Sequence, residues 1–432
     1  MKPAFFFSLA VLFPVVLLNV ALAQDADSKQ KTRTLRELSR QGNDGIAKVA
    51  AYGADVDPSV RAEMVKALVE IGGPKTVEAL VKAAADNDPE VQIRAADGLV
   101  NVYLPGYVKT GGLSATLSRA GAAVKAKFTD TNDQVIEPFV KVSRDVIAAL
   151  SQQVKGGASL DSRANAARAV GVLRGNDAIP ELIDALHSKD DKLMYESMVA
   201  LQKIGDPSAA PRISFLLNDL EEKIQIEALE TTGLLRNKAA APRVRDALTH
   251  ARGVKVRRAA LVALGQIADP ADHPTYLQYL SDKDDSVRAA ALEGIGRLKN
   301  SVDRATVTSM YNGERAMGSR LAAAFALVSL GELNLDRYGP LQYLINGLNQ
   351  RTWSGVASAY LIELARDPTI RTSMYPLLGA ATKDEKIQMA IILSHAGDRD
   401  SVGPLEALSK DTNSEVAAEG VRSLRVLRAR LP

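Results

Sequence analysis

Few residues of this chain have the types and spacing that chemistry requires. The 432 residues contain no Cys and only four His, namely His187, His250, His273 and His395. His187 and His250 end the corresponding sequences Ala-Leu-His and Ala-Leu-Thr-His, so we expect them at solvent-facing loops rather than around a metal. Neither a His-x-x-x-His pair nor a Gly-x-Ser-x-Gly nucleophile sequence occurs. We therefore predict no catalytic residue, no metal site and no cofactor.

One acidic cluster has part of the spacing of a calcium loop. Asp282, Asp284, Ser286 and Glu293 match four ligand positions, but Val287 stands where the sharp turn needs Gly. Acidic residues and Ser directly ahead of an apolar run are also the residues that cap a helix start. The sequence favours helix capping over calcium binding.

The cluster belongs to a motif that recurs along the chain. From Val287, the residues at 0, +4, +7, +8 and +11 are small or apolar, which is the spacing of one helix face. Eleven copies of this repeat motif occur, mostly 31 or 32 residues apart, with one interval of 71. They begin at Val60, Val91, Ser162, Leu193, Ile224, Val256, Val287, Ser319, Trp353, Glu385 and Val416. A register held over so many intervals indicates a repeat architecture.

A second amphipathic stretch lies between the copies of the motif. Examples are Ala178–Leu186 after Gly175, and Pro207–Leu217 after Gly205. Each repeat is then a helical hairpin that cannot bury its apolar faces alone, so neighbouring hairpins must stack. We predict an all-α fold, an α-solenoid of about eleven stacked helical hairpins.

The motif resembles a known repeat family. Asp57-Pro-Ser-Val-Arg61 and Asp285-Ser-Val-Arg288, each followed by Ile-Gly, resemble short HEAT repeats of the kind also found in phycobilin lyase subunits. The resemblance covers roughly residues 45–430 apart from one stretch, and it implies a framework ladder between hairpins. Its expected members are Asp57, Asp88, Asp161, Asp191 and Asp285 with Arg61, Arg163, Arg257, Arg288 and Arg320. A HEAT-type di-iron hydroxylase family binds metal through repeated His-Glu pairs, which this sequence lacks.

The long interval marks an irregular insertion, which we place at residues 104–142. It contains a possible helix, Leu113 to Lys127, and is read either as a binding loop or as a decayed repeat. The predicted organisation is a signal peptide (1–23), an N-terminal capping segment (24–44), two repeats (45–103), the insertion, and nine repeats (143–432).

The N-terminus predicts export. Lys2, an apolar run from Ala4 to Leu18, and Ala21-Leu22-Ala23 before Gln24 have the features of a secretory signal cleaved after Ala23. The alternative is an uncleaved anchor. We expect a periplasmic or extracellular protein. Lys and Arg number 54 against 51 acidic residues, so no nucleic-acid partner is predicted, and no membrane contact beyond the signal.

The second helices of such stacks line the concave surface, which would expose the +3, +6 and +10 positions. From Ala259 to Phe325 the +3 positions are small or apolar. We predict that this surface binds another protein, with Val262 and Phe325 as anchors beside Arg258 and Arg297. The alternative is that the curvature of the stack buries these residues against neighbouring helices. The predicted function is a non-catalytic scaffold. Alternatives are phycobilin-lyase-like or chaperone-like handling of a chromophore or peptide, and an enzyme with its site in the insertion.

Overall fold

The computed structural model describes residues 12–108, 134–137, 139–336 and 338–431, with side chains from residue 26 onward. Helices are the regular elements of these ranges, and no strand occurs in them. The chain divides into two compact units, the first up to Ile136 with Val140–Ile204, and the second Glu137–Phe139 with Gly205 onward. The all-α solenoid class predicted from the repeat motif is confirmed.

The first unit stacks successive helices that carry the repeat motif. Its helices are α1 Leu12–Ser39, α2 Ile46–Ala50, α3 Pro58–Ile71, α4 Val77–Ala83, α5 Pro89–Tyr103, α6 Arg144–Gly156, α7 Leu160–Val172, α8 Ile179–Ala185 and α9 Asp191–Ile204. The motif helices α3, α5, α7 and α9 pack each against the next. The shorter helices between them pack on their flanks, so each repeat is a hairpin.

The second unit repeats the same arrangement. Its helices are α10 Ala210–Ile213, α11 Glu222–Leu234, α12 Ala241–Thr249, α13 Val254–Ile267, α14 His273–Tyr279, α15 Asp285–Leu298, α16 Arg304–Gly313, α17 Met317–Ser329, α18 Pro340–Gly347, α19 Ser354–Leu364, α20 Pro368–Met374, α21 Lys383–Ala396, α22 Val402–Leu408 and α23 Ser414–Arg430. The motif helices α11, α13, α15, α17, α19, α21 and α23 form the stack. Several of the shorter helices begin with a 3₁₀ turn.

Side-chain caps start the motif helices. The Asp57 carboxylate accepts from the Ser59 amide at the start of α3, and Asp284 accepts from the Ser286 and Val287 amides at the start of α15. A side-chain oxygen at this position satisfies amides that the helix itself leaves without partners. The capping role predicted for Asp284 is confirmed.

The ladder between hairpins exists, but its acidic partners differ from those expected. Arg61 pairs with Asp86, 25 residues on, rather than with Asp88, and its Nη1 donates to the Asp55 carbonyl oxygen. Asp88 is already used as the cap of α5. Asp86 in turn accepts from the Asp88 amide at 2.8 Å, so one carboxylate braces the loop and receives the arginine. Of the expected ladder aspartates, Asp57 and Asp88 are therefore helix caps, and Asp86 takes the place of Asp88 in the contact with Arg61.

The same brace recurs in the second unit. Arg257 pairs with Asp282 at 3.4 Å, and Lys386 pairs with Asp411 at 2.8 Å. Arg288 pairs with Glu314 at 2.8 Å. These contacts join the start of one motif helix to the loop before the next, which confirms the framework role predicted for Arg257 and Arg288. Arg163 instead donates to the Val154 carbonyl oxygen, and Arg320 lies over the rings of Tyr311 and Tyr343.

Glycines let the motif helices approach closely. A Cβ atom on Gly171 would lie 2.7 Å from the Cα of Ala200, and one on Gly296 would lie 2.8 Å from the Cα of Ala326. Real Cβ atoms do not come this close to backbone, so these helices pack with the glycine against the facing alanine. Glycine at these positions therefore permits the close packing of neighbouring motif helices.

The N-terminal helix α1 covers the exposed side of α3. Leu35 is fully buried, Lys31 pairs with Asp55 at 2.9 Å, and Arg36 pairs with Glu63 at 2.9 Å. The predicted signal peptide reaches beyond the described residues and stays a prediction. In the part of the chain that the structure describes, no helix has the length and apolar character needed to cross a membrane.

The insertion is described only at its ends. Residues 109–133, including the predicted helix at Leu113 to Lys127, lie outside the described residues. On the far side, Ile136 is buried and its amide donates to the Val172 carbonyl oxygen at 2.9 Å. The Ser143 amide donates to the Tyr103 hydroxyl at 3.2 Å.

Candidate partner-binding site

A buried polar cluster joins three motif helices of the second unit. Arg297 of α15 donates from Nε and Nη2 to the two carboxylate oxygens of Glu363 of α19, each at 2.9 Å. Its Nη1 donates to Glu293, one turn earlier on α15, at 2.9 Å. The Tyr360 hydroxyl donates to the other oxygen of Glu293 at 2.7 Å. We call Glu293, Arg297, Phe325, Tyr360 and Glu363 the Arg297 cluster.

The aromatic rings of the cluster fill the space between its charged groups. The Phe325 ring of α17 stacks on Tyr360 with centroids 4.8 Å apart, and the Arg297 guanidinium carbon lies 5.2 Å from the Phe325 centroid. Because α15 and α17 pack through Gly296, side chains of α15 reach across α17 to α19. The cluster therefore joins three successive repeats.

Charge pairing outweighs desolvation at the centre of the cluster. Burial by itself would lower the pKa of Arg297, but the carboxylates of Glu293 and Glu363 hold that pKa above its usual value. Burial raises the pKa of Tyr360 far above its usual value, and the neighbouring Glu293 charge adds to the effect. The arginine stays charged and the tyrosine stays protonated, so the cluster is a stable set of paired charges.

A cavity of about 490 Å³ lies beside the Arg297 cluster. It has the size range of ligand and peptide side-chain pockets. Arg297, Phe325 and Glu363 form part of its wall, together with the basic residues Arg236, Lys299 and Arg366. These three basic side chains are exposed, and none of them forms an ion pair with another described residue.

Several residues of the cavity wall have a left-handed backbone conformation. Three motif helices end in a left-handed residue that lines the cavity, Arg236 (φ 51°), Ala268 (φ 54°) and Lys299 (φ 53°). Glycine takes the equivalent position, 12 residues after the motif start, with positive φ at Gly72 and Gly205. Non-glycine residues in this region cost about 1–3 kcal/mol each.

The predicted partner-binding residues separate into two groups. Arg297 and Phe325 meet in the cluster and line the cavity, whereas Arg258 and Val262 do not line it. Arg258 is exposed and Val262 is half-buried on α13. Arg297 is not an open flanking charge, because its side chain is 12% exposed and paired with two carboxylates. A role of these four residues in partner binding stays a prediction.

Phe325 requires a correction. The ring is 1% exposed and packs between Tyr360 and Arg297, so it is not the exposed anchor that the sequence predicted. The +3 residues Ala259, Ala290 and Ala322 are buried as well. The close approach of neighbouring motif helices covers these small side chains, so the alternative of burial holds for them and for Phe325, whereas Val262 is half-buried.

Sequence reasoning missed Arg236, Lys299 and Arg366 as wall residues. A signal existed for two of them, because Arg236 and Lys299 stand at a position where four other repeats carry glycine, namely Gly72, Gly205, Gly331 and Gly397. Glu363 was missed because it pairs with a residue 66 positions earlier, beyond the next hairpin.

The histidines have ordinary surroundings. His187 and His250 are exposed, as predicted, and His273 Nε2 lies 2.9 Å from Asp303 across neighbouring hairpins. Within the described ranges, no group of three or more His, Asp and Glu side chains could hold a metal ion.

Comparison with family models identifies the repeats. The model for HEAT repeats matches residues 16–109, 147–219 and 254–328, more than half of the chain. A search of curated proteins found no match to the sequence.

Solved structures with similar helical repeats share little sequence with this chain. The complex of CpcE and CpcF of phycocyanin lyase from Nostoc sp. PCC7120 is 18% identical, covers 61% of this chain and 91% of its own, and has a TM-score of 0.36. Kap121p is 11% identical, with 88% and 45% covered and a TM-score of 0.40. Human deoxyhypusine hydroxylase is 19% identical, with 59% and 98% covered and a TM-score of 0.27.

Proposed function

Because the chain belongs to the HEAT-repeat family, we propose that it is an exported, non-catalytic scaffold that binds a protein partner through the cavity wall of its second unit. Stacked hairpins present extended surface, and binding there needs no preformed reaction site. The insertion at residues 104–142 is a second surface through which the scaffold could be specific for its partner.

One observation carries the proposal. The cavity beside the Arg297 cluster has three exposed basic side chains, at Arg236, Lys299 and Arg366, without ion-pair partners among the described residues. Elsewhere in the chain, many basic side chains are paired within the framework, as Arg61 is with Asp86. Charged groups left unpaired around a concave wall are available to a partner.

Affinity capture from the native envelope fraction tests the proposal. The bait is the intact protein, compared with the Arg366→Ser variant and with a variant that lacks residues 104–142. The proposal predicts a discrete protein that the intact bait captures and the Arg366→Ser bait loses. If capture depended on the insertion alone, the partner would bind at the insertion and not at the cavity.

Metal analysis and absorbance spectra of the purified protein separate the other functions. The scaffold proposal expects colourless, metal-free material. A bound pigment would favour chromophore handling as in a lyase or chaperone, and a bound catalytic metal would favour an enzyme; either result would contradict the proposal. Recovery of the protein in the cytosol with residues 1–23 intact would contradict export.

A further inference from the structure

We propose that the cavity beside the Arg297 cluster binds an acidic polypeptide segment. The segment would carry an apolar side chain flanked in sequence by acidic residues. This inference rests on the proposed function and adds the chemical class of the partner. It is argued from the charge, the backbone conformation and the composition of the cavity wall.

The wall has a surplus of positive charge that the protein does not neutralise. Four basic side chains line it against two acidic ones, Glu363 and Asp367. Glu363 is paired with Arg297 through two hydrogen bonds, whereas Asp367 accepts from the Thr369 amide and keeps its negative charge. The three exposed cations outnumber this one acid, and a carboxylate-rich ligand complements the remaining positive charge.

The backbone at two of these charges is in a conformation that glycine would adopt more easily. Arg236 and Lys299 end their helices with φ of 51° and 53°. Gly331 holds the equivalent position after α17 with φ 88°. Replacing an L-residue by glycine in the left-handed region relieves strain, so the basic side chains are kept there at the expense of stability. A ligand-contacting role accounts for that arrangement.

The left-handed backbone alone does not mark a site. Arg174 in the first unit has φ 49° and does not line the cavity. Arg236 and Lys299 are distinguished by sharing the cavity wall with Arg366. Arg174 is consequently a matched control, with the same residue type and conformation in a different place.

Uncharged groups of the wall favour a peptide over a simple anion. Leu364, Pro368 and Ile370 form an apolar side of the cavity. Gln266 also lines it, and its Oε1 atom is buried without a hydrogen-bond partner. A peptide supplies an apolar side chain for the first surface and a backbone N–H for the second, whereas an inorganic anion supplies neither.

Fluorescence anisotropy on the full chain tests the assignment. The probe is a labelled peptide Glu-Asp-Leu-Glu-Asp, with Lys-Arg-Leu-Lys-Arg and Glu-Asp-Ser-Glu-Asp as comparison peptides. We expect saturable binding of the first probe that weakens as salt rises, at least about tenfold weaker binding of the Ser peptide, and no binding of the basic peptide. Equal binding of the Ser peptide, or tighter binding of inorganic polyphosphate, would overturn the peptide assignment.

Glycine variants separate a loss of binding from a loss of folding. Arg236→Gly with Lys299→Gly should raise thermal stability and weaken probe binding at least about tenfold, because strain and two contacting charges are removed together. Arg174→Gly should raise stability and leave binding unchanged. Unchanged binding in the double variant would overturn the inference. If Arg366→Ser still abolished capture of the protein partner, the proposed scaffold function would stand even though the acidic-peptide inference had failed.

Discussion

Substituting Gly296 by alanine tests whether glycine sets the spacing of the motif helices. The added Cβ would lie 2.8 Å from the Cα of Ala326 and 3.0 Å from Cε1 of Phe325. Carbon atoms pack at about 3.5–4.0 Å, so α15 and α17 would have to separate by several tenths of an ångström. Phe325 cannot easily yield, because it is held between Tyr360 and Arg297.

The expected cost follows from two opposing effects. Overpacking a core contact costs about 1–3 kcal/mol, and replacing a helical glycine by alanine returns up to about 1 kcal/mol. We expect Gly296→Ala to lose about 1–2 kcal/mol of unfolding free energy. Thermal unfolding followed by circular dichroism measures it, at about 2–4 °C per kcal/mol for a unit of this size.

Gly355 is the matched control for this substitution. It lies in α19, and a Cβ atom there would have nothing within 4 Å. Gly355→Ala should be neutral or stabilise by up to about 1 kcal/mol. If Gly296→Ala proved as stable as Gly355→Ala, close approach of α15 and α17 would not be what positions the Arg297 cluster.

Three further changes probe individual contacts. Arg297→Met should lower the unfolding free energy, measured by chemical denaturation, by about 3–5 kcal/mol, because it leaves the carboxylates of Glu293 and Glu363 without a basic partner. Arg297→Lys should not restore the bidentate pair with Glu363. Tyr276→Phe should be neutral or stabilise by up to about 1 kcal/mol, because the Tyr276 hydroxyl is buried without a partner; a loss above 1 kcal/mol would indicate an unrecognised hydrogen bond. Stability should fall as the pH drops below the ordinary aspartate pKa of 3.8, because the pKa of Asp86 is lowered.

The sign of that acid effect follows from the pKa shift of Asp86. Burial by itself would raise the pKa of Asp86, but hydrogen bonds from Arg61 and from the Asp88 amide outweigh it. A carboxyl with a lowered pKa in the folded state stabilises the fold above its unfolded pKa and loses that contribution as pH falls through its folded pKa. Asp86→Asn should therefore flatten the acid side of a stability curve measured from pH 6 to pH 2. An unchanged slope would refute the role of this carboxylate.

Local patterns made the hairpins predictable. The spacing of apolar residues defines one helix face, and the acid ahead of Val287 identifies the helix start, because both depend on neighbours within four residues. The basic residue after the motif start was recognised as framework for the same reason. Its partner was misassigned between Asp88 and Asp86, since the sequence alone does not say which carboxylate the capped helix has already used.

The cavity depended on contacts that no local pattern encodes. Arg297 meets Glu363 only because α15 and α17 pack through glycine, which brings a third helix within reach. The same approach buries Phe325, which looked exposed when each helix was read against an idealised groove. Lys299 was overlooked as a cavity residue because the residues that end a helix were read only as helix-stop signals.

Photo-crosslinking tests most directly the claim that the second unit holds a protein partner at its cavity. A photo-reactive amino acid is placed at the position of Arg366 on the cavity wall, and in a control protein at Val421, which is 58% exposed on α23 and does not line the cavity. Irradiation in the native envelope fraction should yield one discrete protein adduct from position 366, reduced by Arg236→Gly with Lys299→Gly and absent from position 421. No adduct at position 366, or equal adducts at both positions, would contradict a partner-binding scaffold of this design.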